Sequence, residues 1–148
     1  MAVNEQARGI RAVRIIAQLT LLAIFVQFLL AGLGTFDTAH GGEFKDRYFT
    51  LHDNFALVII GLTVLLFLVA LVVRAGKMVI WEAVVLGLAA GPLQHELATN
   101  GTDHAPWVGA LHVIAGVLIL LLDAHLAFPA TGAALRSGWR AARSSGPA

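Results

Sequence analysis

Four long runs of apolar residues, separated by short polar stretches, divide the chain. They cover residues 14–36, 51–73, 78–97 and 107–128. Each has about the 20 residues that a helix needs to cross a hydrocarbon core of about 30 Å. The even number of runs, and the very short connection at 74–77, predict an all-α integral membrane protein: a four-transmembrane-helix up-down bundle. A polar arm at 1–13 precedes this transmembrane domain, 14–129, and a basic tail at 130–148 follows it. In the arm Arg8, Arg11 and Arg14 recur every three residues and line one side if it is helical. The polar stretches 37–50 and 98–106 read as loops, with Asn100-Gly101-Thr102 as a turn, and Pro129 ends or kinks the last span.

Composition supports this partition. Only 13% of the 148 residues are charged and 58% are hydrophobic, against about 25% charged in soluble domains, so no large soluble domain fits. The first apolar run is too long for the core of a signal peptide, and the N-terminus is expected to be retained. There is no cysteine. That excludes disulfides, thiolate zinc sites, iron–sulfur clusters and thioether-attached haem. It leaves a noncovalent haem or a metal held by histidine and carboxylate.

Charge changes the picture by its placement. Arg8, Arg11, Arg14, Arg74, Lys77, Arg136, Arg140 and Arg143 fall at one side of the four spans, and only Lys45 and Arg47 at the other. The positive-inside rule then puts both termini in the cytoplasm. Trp81 and Trp107 mark the two interfaces, and Trp139 among the tail arginines suggests a helix lying on the inner leaflet. The lipid bilayer is the expected partner, with a quinone or another membrane subunit as further candidates; no nucleic-acid partner is expected.

Ionisable groups inside spans are costly and point to function. His52 opens the second span and His112 lies one turn inside the fourth, near the same outer boundary. At 100° per residue His52 shares a face with Ala56, Ile59 and Thr63, and His112 with Ala115, Gly116, Ile119 and Asp123. The small residues Ala56 and Gly116 leave clearance for a haem edge, or permit tight helix contact in lipid. Imidazole suits iron without a thiolate, so His52 and His112 are the candidate axial ligands of one haem b. Bland readings stand beside this one: both are interfacial histidines closing helix ends. Gln27 is a candidate to bond a ligand's second nitrogen, or simply another helix. His95, flanked by Gln94 and Glu96, is a substitute ligand, a propionate contact, or part of a polar helix end. Asp123 suits proton or quinone chemistry, or a cation at the inner surface. His125 is about 220° around the helix from His112, which places it off the same face, as an inner-boundary residue. His40 and His104 lie in the outer loops beside acids.

Spans 2 and 4 both open with Leu-His, and spans 1 and 3 each carry a glutamine near glycines, Gln27 and Gln94. Two hairpins related by a pseudo-twofold axis along the membrane normal would give this echo.

FVQFLLAGLGTF in the first span, the Leu-His opening of the second and ALHVIAGVLILLL in the fourth resemble a family of small uncharacterised actinobacterial four-helix membrane proteins. The same features are similar, more distantly, to one four-helix half of haem A synthase. That resemblance implies a histidine pair on the second and fourth helices around one haem, which carries over to His52 and His112. The chain departs from haem A synthase in having a single half, no cysteine pair in the first outer loop, and Phe49 where the catalytic glutamate would stand. It therefore implies haem binding and not haem oxidation.

The expectation is a b-type haem-binding, cytochrome b-like protein for electron transport, or a haem-bearing accessory subunit of a respiratory assembly. Two alternatives stand. One is an enzyme with a zinc or copper site at the outer surface, built from His52, Asp53, His95, Glu96 and His112. The other is a cofactor-free structural or assembly subunit.

Overall fold

The computed structural model describes residues 3–103 and 106–128. Every element among them is helical: α1 (Val3–Ala39), α2 (Lys45–Val72), α3 (Lys77–Leu88), a single π-helical turn (Ala89–Leu93), α4 (Gln94–Asp103) and α5 (Pro106–Ala127). Four helices, Ala7–Ala39, Lys45–Val72, Lys77–Asn100 and Trp107–Ala127, are long and apolar enough to cross a membrane. Large apolar side chains cover the outside, among them Leu22, Phe25, Leu57, Val72 and Leu118, as a lipid-facing surface requires. Pro129, His104 and the tail with Trp139 lie outside the described residues.

The helices run further than hydropathy alone indicates. α1 continues from the polar arm without a break, with Arg8, Arg11 and Arg14 all exposed. Backbone hydrogen bonding is local to a helix, so a polar sequence without Pro extends one begun by its apolar neighbour. The first loop shrinks to 40–44. There Gly41 and Gly42 take φ of 115° and 71°, and the Phe44 amide donates to Asp37 Oδ2 at 2.8 Å. Asn100 is helical rather than in a turn: its amide donates to the Glu96 carbonyl at 2.8 Å, as the Thr99 hydroxyl does to His95 at 3.0 Å. These bonds tie polar side chains to the preceding helical turn.

Each helix packs through a seam stepping by three and four. It runs Val13, Ala17, Thr20, Ile24, Gln27 on α1; His52, Ala56, Ile59, Thr63, Leu66, Ala70 on α2; and His112, Gly116, Ile119, Asp123, Leu126 on α5. A period near 3.5 is that of knobs-into-holes packing. Small residues let backbones approach: a Cβ added at Gly9 would stand 2.6 Å from Val73 Cβ. α1 packs on α2 and α5, α2 on α3, and α4 on α5, while α2 and α5 lie diagonal with no backbone approach among the described residues.

The two hairpins repeat each other. An offset of 60 carries the α2 seam from His52 to Leu66 onto the α5 seam from His112 to Leu126. On the other helix of each hairpin Ala17 matches Ala83, an offset of 66, but Gln27 matches Gln94, an offset of 67. The second hairpin thus holds one residue more. The π turn lies between these positions, and its wider loop encloses that extra residue. Pro92, which has no N–H to offer a regular ladder, sits within it.

Candidate cofactor site between paired histidines

His52 and His112 face each other across the bundle, with ring centres 6.4 Å apart and planes at 61°. Both are half-buried. Each is held by a two-way bracket to a glutamine. The Gln27 amide donates to the His52 carbonyl at 3.0 Å, and His52 Nδ1 bonds the Gln27 carbonyl at 3.1 Å. The Gln94 amide donates to the His112 carbonyl at 3.2 Å, and His112 Nδ1 bonds the Gln94 carbonyl at 3.2 Å. A helix carbonyl already engaged in its own ladder has a second lone pair for this use.

The brackets determine the chemistry of the rings. A carbonyl only accepts, so Nδ1 carries the proton in both histidines. The neutral imidazole then has its lone pair on Nε2, free to bind a metal. No protein donor reaches either Nε2 among the described residues. A metal between two opposed imidazoles stands about 2.0–2.1 Å from each nitrogen, with each ring centre about 1.1 Å further back, so the centres lie about 6.2–6.4 Å apart. The observed separation fits that arrangement. The Oε1 atoms of Gln27 and Gln94 are buried without a partner, which adds two acceptors and no donor beside the pair.

The surroundings of the pair are asymmetric. On the α1–α5 side the hairpins meet closely: a Cβ at Gly116 would stand 3.1 Å from the Phe28 ring and 3.3 Å from Gln94 Nε2. Of the two readings for the small residues, tight helix contact is the one seen at Gly116. On the twofold-related side α2 packs on α3 and on the π turn, and only the end beside the histidines is uncovered. The counterpart of Phe28 is His95, which is exposed, and α4 does not approach α2 among the described residues. Ala56, the counterpart of Gly116, is half-buried beside this uncovered end.

The structure brings His52 and His112 together, and their surroundings differ from those expected. Gln27 does reach His52, but its backbone carbonyl takes the ring nitrogen and its side chain takes the backbone of His52. Gln94, not His95, is the matching partner of His112, and the Gln27–Gln94 echo is the signal that singles it out. Asp53, His95 and Glu96 are exposed. No three His, Cys, Asp or Glu residues gather to hold a metal among the described residues. His40 is spent locally, with Nδ1 on the Phe36 carbonyl at 2.9 Å and its ring stacked on Phe36 at 4.4 Å. His125 pairs with Glu82 at 3.3 Å, far from the site. Asp123 is fully buried with neither oxygen bonded, and no cation pairs with it among the described residues.

A model of a family of unknown function, DUF6220, matches residues 27–100. No curated protein and no solved structure matches the chain.

Proposed function

The chain belongs to that family of unknown function, and we propose that it is a membrane-embedded haem protein holding one haem b between His52 and His112. The observation that carries this reading is the 6.4 Å separation of two facing imidazoles, each anchored through Nδ1 with Nε2 free. The end of α2 left uncovered beside the histidines supports it, because a planar tetrapyrrole reaches well beyond its iron. So does the resemblance to one half of haem A synthase, as well as to small actinobacterial membrane proteins.

Held here by His52 and His112, haem would supply a one-electron couple for electron transfer. The residues of the chain do the rest. His52 and His112 bind, and the Gln27 and Gln94 carbonyls hold their tautomer and orientation and raise their basicity. The apolar seam below, through Ile59 and Ile119, keeps water away and tunes the potential. The role that follows is electron transfer, or a haem-bearing accessory subunit of a respiratory assembly. It would operate in a bacterial plasma membrane with both termini cytoplasmic, exchanging electrons with a quinone or a neighbouring subunit.

The test is cofactor content. Detergent-purified protein, expressed with a haem supply, should carry one haem per chain, and His52→Ala and His112→Ala should each lose it. A colourless protein with stoichiometric zinc or copper would replace haem with a metal ion between the same rings. A colourless, metal-free protein co-purifying with a partner would favour a structural subunit instead.

A further inference from the structure

A second polar level lies below the histidines. Asp123 is eleven residues beyond His112 on the same seam, about 16 Å along the axis. It is 0% exposed, and neither carboxylate oxygen has a hydrogen-bond partner among the described residues. Its twofold counterpart is Thr63, also fully buried. Thr63 satisfies itself by donating to the Ile60 carbonyl at 2.9 Å, and Thr20 donates to the Ile16 carbonyl at 2.9 Å. The hydroxyl protons of both buried threonines are therefore spent on their own helices. No cation pairs with it among the described residues either: Arg8, Arg11 and Arg14 on α1, Arg74 just after α2 and Lys77 on α3 are exposed, and Glu82 on α3 is turned to His125. On α4, His95 and Glu96 are exposed at the other end of the bundle.

An ionised carboxylate with no donor and no counter-charge is very costly in such a place, and a neutral acid costs far less. We propose that Asp123 is a proton-binding site in the membrane interior, resting as the neutral acid and exchanging its proton with the end of the bundle where Glu82 and His125 pair. His125 lies two residues on, about 3 Å further along the axis, and is partly exposed. On release the Asp123 O–H bond breaks and the proton passes, by way of water at this end, to the His125 imidazole. The imidazolium so formed faces Glu82 at 3.3 Å; the reverse transfer reloads the site. Neither an oxidant nor a bound cofactor is needed, so the site stands whether or not haem occupies the level above.

Two readouts test it on the full-length protein. The infrared spectrum at neutral pH should contain a protonated-carboxyl C=O band that moves in heavy water and disappears in Asp123→Asn. The apolar reagent dicyclohexylcarbodiimide should label the peptide holding Asp123. There the acid O–H adds across one C=N bond, and the O-acylisourea rearranges to a stable N-acylurea without a further reactant. Asp123→Asn should keep the wild-type thermal midpoint, since an amide replaces a neutral acid. Absence of the acid band and of the label in the wild type would overturn the proposal. Collapse of Asp123→Asn in a wild type lacking both signals would show instead an ionised Asp123 held by a cation.

Discussion

The two hairpins solve one problem twice and differ in three places. Both anchor a histidine through a reciprocal glutamine bracket, His52 with Gln27 and His112 with Gln94. The first hairpin does so on a continuous α1, the second across a π turn that absorbs one extra residue. The first presents Phe28 to its neighbour, whereas the counterpart His95 on the second is exposed and α4 does not approach α2 among the described residues. The first buries a self-satisfied Thr63 below its histidine, the second a partnerless Asp123. The shared part is the machinery that holds two imidazoles beside each other, with their planes at 61°. The divergent parts leave α2 uncovered by α4 beside that site and give the bundle a fully buried carboxyl group among the described residues.

The largest test of this comparison concerns register. Deleting Ala23 should swing Gln27 about 100° off its seam, breaking the bracket and the packing below it, at a cost of about 3 kcal/mol or more. Deleting Ala90 together with Pro92→Ala should restore a regular helix with Gln94 still in place, within about 1 kcal/mol of wild type. Thermal midpoints in detergent separate the two. Next come the small residues. Gly116→Leu must displace Phe28 or Gln94 and should cost about 1–3 kcal/mol. Ala56→Leu, beside the uncovered end of α2, should change stability by only about 0.5 kcal/mol while lowering haem content. Equal effects of the two on stability would deny the asymmetry. Gln27→Leu and Gln94→Leu are each expected to cost about 1 kcal/mol, at the lower end of the range for Gly116→Leu. Their ring anchors are backbone carbonyls and survive the change, so haem should stay bound in both; a large difference between the two would break the equivalence of the brackets.

Much of this was legible in the sequence, for reasons that also mark where legibility ends. Lipid demands about 20 apolar residues per crossing, so four spans could be counted. Face periodicity grouped His52 with Ala56, Ile59 and Thr63, and matched depth singled out His52 and His112. The count failed where the helix left the α geometry. Stepping up from Ala83 and Leu86 turns Leu93 inward, yet the π turn leaves Leu93 48% exposed and brings Gln94 to the seam. A single inserted residue is invisible to hydropathy, and so His95 drew attention that belonged to its neighbour. The ends of α1 and α4 were hidden for a different reason: polar residues extend a helix without leaving an apolar trace. That Asp123 finds no partner could not be read from order along the chain, because it depends on what three other helices place around it.

The most direct measurement is the spin state of iron in the purified protein. With two imidazoles on one iron, the oxidised and reduced spectra should be those of six-coordinate low-spin haem. His52→Gly and His112→Gly should each convert the iron to a high-spin form or lose it, to the same degree, and added imidazole should restore the low-spin spectrum in both. A wild type without haem, or a low-spin spectrum that survives loss of either ring, would contradict the facing pair as the site.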